Sequence, residues 1–199
     1  MKQELMTVVS NHQLAPKIFE LVLTGQLVKQ MHHPGQFLHL RVPQADLLLR
    51  RPISINQINQ EKQTVTLIYR VQGQGTQVFS QLQAGDQLDC MGPLGNGFSL
   101  EGVHAGDEVY IIGGGIGIPP LYELSKRLIE KGVRPVHFLG YANGEVSYYI
   151  DEFQALGRTL IATDDGSIGF KGNVGQLLDD YLSINTEMPK AVFTCGNNG

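Results

Sequence analysis

The sequence is poor in cysteine and contains no long apolar run. Its 199 residues include two cysteines, Cys90 and Cys195, which excludes a disulfide framework and a metal site built from cysteine alone. No apolar segment approaches the ~20 residues that a membrane-spanning helix needs, and the first residues lack the apolar core of a signal peptide. We therefore expect a protein of the reducing cytoplasm.

A basic surface and a catalytic histidine motif are also missing. The formal net charge is −4 and no lysine and arginine cluster offsets it, which argues against a nucleic-acid partner. The six histidines lack metal-site spacing, and no Ser-His-Asp or Cys-His arrangement stands out, so we assign no catalytic residue and no metal ligand. The 42% of hydrophobic and 17% of charged residues are typical of one large globular domain or two small ones.

Residues 5–100 predict a small antiparallel β-barrel. Short apolar segments are separated by turn residues such as Pro34-Gly35 and Gly85-Asp86. The period of two in residues 64–71 is typical of a strand with one buried face. The predicted strands are Leu5–Val9, Ile18–Leu23, Gln36–Val42, Pro52–Ile55, Thr64–Val71 and Gln87–Met91, with a helix at Thr76–Leu82.

Residues 109–194 predict an α/β domain, because strands there alternate with helices and this order favours a parallel sheet. Leu121, Leu124 and Leu128 recur at helical spacing before a stop at Gly132. We place the boundary near residue 101, which gives domains 1–101 and 102–199. The predicted strands are Val109–Ile112, Val136–Leu139, Thr159–Ala162 and Ala191–Thr194; two further helices are Ser147–Leu156 and one capped by Asn173 that runs through Leu182.

The stretch VYIIGGGIGIPPL, Val109–Leu121, joins a buried strand to a helix through a glycine turn. Such a turn presents backbone N–H groups and the positive end of a helix dipole to an anion. The dinucleotide fingerprint G-x-G-x-x-G is not satisfied, since Ile118 or Pro120 stands where its last glycine belongs. By itself the stretch is compatible with a phosphate site or with a purely structural turn.

Two segments of the barrel half carry further anion-binding residue types. Arg51 and Ser54, in RRPIS, suit a phosphate and a heterocycle, although a solvated arginine before a proline-containing strand has the same pattern. Ile68-Tyr69-Arg70 is followed by a second glycine turn, Gly73-Gln74-Gly75-Thr76, at a predicted helix start. Two candidate anion sites beside a nucleotide-type domain favour a dinucleotide.

In their order and spacing, RRPISI, IYRVQGQGT, GPLGNGF, GGGIGIPPL and TDDGSIGFKGNV resemble the ferredoxin reductase family over nearly the whole chain. Within it they resemble the electron-transfer subunits of NAD-dependent dihydroorotate dehydrogenase. The resemblance implies an FAD-binding barrel and an NAD-binding α/β domain. The residues it assigns to FAD are Arg51, Pro52, Ile53, Ser54, Ile68, Tyr69, Arg70, Gly75 and Thr76. Those it assigns to the nicotinamide cofactor site are Gly113, Gly114, Gly115, Gly117, Cys195 and Gly196.

Asp164-Asp165 follows the third strand of the α/β half, at the sheet edge where such domains bind ligands. A carboxylate of Asp164 there accepts from a ribose hydroxyl and repels a 2′-phosphate, which favours NAD over NADP. A ligand-free Asp-Asp-Gly turn explains the same residues equally well.

The resemblance also implies a function and a partner. The chain would pass electrons between NAD(H) and a dihydroorotate dehydrogenase catalytic subunit, in a heterotetramer of two copies of each, as part of pyrimidine biosynthesis. Family members carry a [2Fe–2S] cluster on four cysteines of a C-terminal segment, and those ligands are absent here. We therefore expect a C-terminally truncated version. Two alternatives are a different flavoprotein reductase of the same superfamily and a non-catalytic flavin- or nucleotide-binding module.

Overall fold

The chain divides into two compact units, residues 1–97 and 98–199. The computed structural model describes residues 2–185 and 187–196. The division falls in the loop GPLGNGF, and the boundary expected from the sequence lies a few residues further along. Within the described ranges, none of the helices has the length and apolar character that crossing a bilayer requires.

The first unit is a closed antiparallel barrel of six strands in the order β1-β2-β5-β4-β3-β6, as the sequence predicts. The strands are β1 (Lys2–Ala15), β2 (Ile18–Thr24), β3 (Phe37–Leu40), β4 (Arg51–Asn59), β5 (Thr64–Arg70) and β6 (Gln87–Leu94). One short helix, α1 (Gln74–Phe79), lies between β5 and β6. Alternate side chains of the strands fill the barrel with aliphatic residues, and the Cys90 thiol is fully buried among them.

Several elements of the barrel differ in length from the prediction, among them β4, which continues to Asn59 beyond the predicted end at Ile55. Strand β1 is much longer than Leu5–Val9, because its first half pairs with β6 and its second half with β2. Backbone pairing on both sides holds polar residues in the strand that no apolar alternation marks. Helix α1 begins earlier than Thr76, since the Thr76 hydroxyl accepts from the Gly73 N–H at 3.2 Å and fixes Gly73 as the N-cap.

The second unit is a parallel five-stranded sheet in the order β10-β9-β8-β7-β11. Its strands are β7 (Glu108–Gly114), β8 (Arg134–Tyr141), β9 (Arg158–Thr163), β10 (Phe170–Lys171) and β11 (Ala191–Cys195). Its helices are α2 (Pro119–Glu130), α3 (Ile150–Leu156) and α4 (Val174–Ile184). The sheet confirms the predicted α/β architecture, while the two-residue strand β10 is too short to show a period in the sequence.

The helices of this unit follow their sequence signals with one exception. Helix α2 opens with Pro119-Pro120 and buries Leu121, Leu124 and Leu128, as predicted. The Asn173 side chain caps α4 by accepting from the Gln176 N–H at 3.0 Å. The prediction of a helix from Ser147 is wrong, because Tyr149 takes a left-handed conformation with φ 61° and α3 therefore starts at Ile150.

Candidate functional site

The two adjacent arginines at the start of β4 have different environments. Arg50 donates to an Asp89 carboxylate oxygen at 2.8 Å and to the His39 carbonyl at 3.2 Å, which ties β4 to β6 and β3. Both partners of this ion pair are largely buried. Arg50 is therefore committed to the barrel wall, and Arg51 is the arginine left for a ligand.

Arg51 lies directly over the glycine at the start of α1. A Cβ atom added to Gly75 would lie 2.7 Å from Arg51 Nε and 3.0 Å from a Val42 methyl, so a larger residue there would displace the guanidinium group. The guanidinium also donates to the Leu49 carbonyl at 2.7 Å. Because the first N–H groups of a helix lack intrahelical partners, this arrangement brings a cation and free backbone donors together. We call this arrangement of Arg51 over Gly75 the arginine cradle.

The Thr76 hydroxyl does not point to a ligand in this arrangement. It accepts from the Gln72 N–H at 3.0 Å and donates to the Gly73 carbonyl at 3.0 Å. Both hydrogen bonds are made to the backbone of the loop that leads into α1. The contribution of Thr76 to a phosphate site is therefore limited to its backbone, which lies in the first turn of α1.

The remaining predicted flavin residues occupy the ends of β4 and β5. Ile53 packs against the barrel core, whereas Pro52 and Ser54 belong to the opposite face of the strand. The Tyr69 ring is also in the core, 5.8 Å from the Phe19 ring, and burial raises the pKa of its hydroxyl, which donates to Asn11 at 3.2 Å. Only the backbone of Tyr69 is thus available to a cofactor.

An open cavity of about 660 Å³ lies beside the start of α1. Two cationic side chains, Lys17 and Arg70, face it, together with three glutamines. Lys17 adopts a left-handed backbone conformation, φ 63°, and its carbonyl accepts from the Val71 N–H at 2.8 Å. The full lining is Lys17, Arg70, Val71, Gln72, Gly73, Gln74 and Gln77.

Gln36 is a polar residue at this end of the barrel that the sequence did not single out. Its backbone carbonyl accepts from the Ile55 N–H at 2.9 Å, next to Ser54, and its side-chain amide donates to the Gly95 carbonyl at 3.0 Å. The Gln36 Oε1 atom is buried and has no hydrogen-bond partner among the described residues. A buried acceptor of this kind is costly unless a donor reaches it. The sequence signal that could have identified Gln36 is its position directly after the turn Pro34-Gly35.

In the second unit, the predicted nucleotide residues gather at the carboxyl edge of the sheet. Cys195 pairs with Gly113, Gly114 pairs with Gly140, and Tyr141 pairs with Thr163 just before Asp164. Since these are the last residues of four parallel strands, the glycine turn, Asp164 and Cys195-Gly196 share one edge. This is the edge at which α/β sheets bind ligands.

The four glycines of the turn have three different roles. A Cβ atom at Gly113 would lie 2.8 Å from a Leu121 methyl, and one at Gly117 would lie 2.5 Å from the Cys195 carbonyl oxygen. These two glycines allow close packing of α2 and of the end of β11. At Gly114 and Gly115 nothing lies within 4 Å of the added atom, and Gly115 has φ +51°. The bare backbone open to a ligand is therefore at Gly114 and Gly115.

The two aspartates after β9 also differ. The Asp165 carboxylate accepts from the Ser167 hydroxyl at 2.6 Å and from the Ser167 N–H at 2.9 Å, and these bonds lower its pKa. The Ser167 hydroxyl in turn accepts from the Gly144 N–H at 2.8 Å. Asp164 is exposed, and its carboxylate has no hydrogen-bond partner within the described ranges. Asp164 is therefore the carboxylate available to a ribose.

One buried histidine lies away from this edge. His137 Nε2 is 2.6 Å from the Ser125 hydroxyl, and its Nδ1 is 3.0 Å from the Thr159 hydroxyl. Thr159 donates its proton to the Gly157 carbonyl, so it accepts from Nδ1–H and Ser125 donates to Nε2. Burial lowers the pKa of His137 to about 4. The neutral ring is a core residue, as its position in a strand pattern suggested.

Comparison with known proteins places this geometry in a family. Residues 6–98, the barrel, match the model of the oxidoreductase FAD-binding domain. The NADH-dependent reduced ferredoxin-NADP oxidoreductase, a solved structure, superposes with a TM-score of 0.84 at 27% identity, covering 97% of this chain and 68% of that one. The fold and these matches define a flavin-dependent oxidoreductase of the ferredoxin reductase type.

Two curated relatives narrow this class. The electron transfer subunit of dihydroorotate dehydrogenase B (NAD(+)) from Enterococcus faecalis is 62% identical over 198 residues, covering 100% of this chain and 75% of the relative. The Streptococcus mutans protein of that description is 49% identical and is covered to 74% of its length. The chain belongs to the family of dihydroorotate dehydrogenase B electron transfer subunits, and it spans about three quarters of these relatives.

The residues of the barrel fit FAD. The arginine cradle provides a cation and bare backbone for a pyrophosphate, and a Cβ atom at Gly75 would fill it. The cavity at the start of α1, lined by Lys17 and Arg70, adds two cationic side chains to this end of the helix. The buried Gln36 Oε1 atom has no hydrogen-bond donor among the described residues.

The residues do not fit an iron–sulfur cluster. Four thiolates are needed, and the sequence has two cysteines that lie in different units. No group of three or more potential metal-ligating side chains occurs in the part of the chain that the structure describes.

Proposed function

We propose that this chain transfers electrons between NAD(H) and a dihydroorotate dehydrogenase catalytic subunit, with FAD as its bound cofactor. The observation that supports the proposal is that one chain has two separate arrangements suited to bind an anion. One is the arginine cradle of the barrel, and the other is the open backbone of Gly114 and Gly115. Both kinds of site are required by an enzyme that holds FAD and receives a nicotinamide dinucleotide.

The barrel residues would bind and orient FAD. Arg51 and the first N–H groups of α1 would hold the pyrophosphate. Ser54 lies in β4, and its hydroxyl would donate to the flavin ring. When bound, FAD would supply hydride acceptance from NADH and one-electron release with loss of a proton to solvent, and the residues named here would position it.

The α/β unit would bind NAD(H) at its carboxyl edge. The backbone at Gly114 and Gly115 would take the pyrophosphate, and Asp164 would accept from a ribose hydroxyl of the adenosine. A carboxylate at that place repels a 2′-phosphate, because both groups are negatively charged. NADH is therefore the expected reductant rather than NADPH.

The partner follows from the relatives, which are named as subunits of dihydroorotate dehydrogenase B. We infer that the companion subunit oxidises dihydroorotate, and that the pair contributes to pyrimidine biosynthesis. We place the protein in the cytoplasm, which agrees with two free cysteines and no disulfide between them.

The test begins with the purified chain. Extracted cofactor should be FAD and not FMN, and NADH should reduce it much faster than NADPH in stopped-flow measurements. Addition of the catalytic subunit should give a complex that co-purifies. Colourless protein that takes up no FAD would exclude a flavoprotein. Flavin reduction without binding of that subunit would indicate another reductase of the superfamily, and FAD binding without any reduction by NADH would indicate a non-catalytic module.

A further inference from the structure

The glycine turn of the α/β unit is held by a tyrosine from a different loop. The Tyr148 hydroxyl donates to the Gly115 carbonyl oxygen at 2.8 Å. The Ile118 backbone N–H donates to that same oxygen at 3.2 Å. A carbonyl oxygen has two lone pairs, so two protein donors occupy its acceptor capacity.

Tyr148 is itself fixed in place. Its side chain is 7% exposed, and its own carbonyl accepts from the Tyr141 hydroxyl at 2.7 Å. The two rings meet edge to face, with centroids 5.8 Å apart. Tyr141 is the last residue of β8, so the hydroxyl that reaches Gly115 is anchored to the sheet rather than to a free loop.

This contact sets the direction of one peptide group. In a planar trans peptide the C=O and the following N–H point in opposite directions. Because the Gly115 carbonyl is held toward Tyr148, the Ile116 N–H points away from it. Gly115 has a positive φ and no neighbour within 4 Å of its missing Cβ, so the two donors to its carbonyl, the Tyr148 hydroxyl and the Ile118 N–H, hold this orientation. A rotated peptide would instead present a carbonyl dipole to an incoming anion.

We propose that Tyr148 is a positioning residue for the pyrophosphate of NAD(H). Its hydroxyl holds the Gly115–Ile116 peptide with the carbonyl turned back and the N–H turned outward, ready for a phosphate oxygen. This inference rests on the proposed function, since it assumes that the glycine turn receives a dinucleotide. It predicts that the tyrosine hydroxyl affects ligands with a pyrophosphate and leaves others unaffected.

The test is Tyr148→Phe, which removes the hydroxyl and keeps the ring. Loss of one neutral hydrogen bond should raise the Kd of NADH and of ADP-ribose about three- to tenfold. The limiting rate of flavin reduction at saturating NADH should stay unchanged. Reduced nicotinamide mononucleotide, which has one phosphate and no pyrophosphate, should reduce the flavin of both proteins at equal second-order rates. FAD affinity and Tm should also match those of the wild type.

Tyr122→Phe is the matched control, because it removes a tyrosine hydroxyl from the same unit. The Tyr122 ring packs on the rings of Tyr149 and Phe153, and this variant should bind NADH and ADP-ribose like the wild type. Unchanged affinities in Tyr148→Phe, or an equal loss toward the mononucleotide, would overturn the inference alone. A wild-type protein that binds neither NADH nor ADP-ribose would overturn the proposed function as well.

Discussion

The adjacent arginines at the start of β4, Arg50 and Arg51, have different roles. Arg50 is paired with a largely buried Asp89 and joins three strands, while Arg51 lies over Gly75 with no acidic partner among the described residues. At this scale, the backbone direction and not the residue type decides which guanidinium is free for a ligand.

Replacement of each arginine by alanine should separate the two duties. Arg51→Ala should weaken FAD binding by about 1.5–3 kcal/mol, the value of one charge-assisted hydrogen bond, with little change in unfolding. Arg50→Ala should instead lower the free energy of unfolding by about 1–3 kcal/mol, because the largely buried Asp89 carboxylate loses its 2.8 Å ion pair. FAD titration by fluorescence and urea denaturation measure the two effects. Equal FAD loss in both variants would contradict this assignment.

The buried imidazole of His137 makes stability depend on pH. Its pKa is about 4 in the folded protein and about 6.5 in an unfolded chain. The unfolded state therefore binds more protons between these values, and stability falls as pH drops from about 6.5 to about 4. Above that window the contribution is complete, and its size is about 3 kcal/mol.

The measurement for His137 is urea unfolding at several pH values between 4 and 8. His137→Gln keeps hydrogen-bonding capacity and does not titrate, so subtracting its pH profile removes the contributions of all other groups. The wild type should lose more stability than the variant on acidification. Parallel profiles would show that the imidazole is protonated at little cost.

At the scale of elements, the glycine turn between β7 and α2 divides packing from ligand access. Gly117→Ala should destabilise the protein by about 1–3 kcal/mol, because its Cβ meets the backbone of Cys195 and Gly196. Gly114 is extended, with φ −132°, and has open space above it. Gly114→Ala should therefore keep stability within about 0.5 kcal/mol and weaken NADH binding. Thermal unfolding and NADH titration of both variants distinguish the roles, and a reversal of the two effects would contradict them.

Elements with a clear period were predictable from the sequence, and irregular ones were not. The leucines of α2 and the cap at Asn173 identify their helices because local chemistry determines both. The length of β1 depends on pairing with two distant strands, and the start of α3 depends on a left-handed Tyr149. Neither feature produces a periodic pattern in the sequence. The residues of the candidate site were likewise only partly predictable.

For the site, the glycine and arginine motifs could be located by residue type alone. The separation of Arg50 from Arg51, and of Asp164 from Asp165, could not, because each pair shares one residue type and differs only in its partners. Tyr148 escaped notice for a related reason, since its hydroxyl reaches across from another loop to a backbone atom. Contacts between distant loops are a property of the fold.

For the whole molecule, the two units should respond to different ligands. Binding to the folded state alone stabilises it, by about 2.7 kcal/mol at a hundredfold excess over Kd. In hydrogen exchange, FAD should protect peptides that contain residues 51–54 and 73–79, and ADP-ribose should protect peptides that contain residues 113–117. FMN, which has no pyrophosphate, is the matched control for the first ligand. Protection of the barrel peptides by ADP-ribose and not by FAD would contradict the assignment of the sites.

The two thiols differ in accessibility, so their rates of alkylation report on opening of the barrel. Cys90 is sealed inside the barrel, and burial raises its pKa to about 12, so almost no thiolate exists at neutral pH and no reagent reaches it in the folded state. Cys195, at the end of β11, is partly accessible. An alkylating agent should therefore add one label promptly and a second only when the barrel opens. The delay between the first and the second mass increment then reports how often the barrel unfolds.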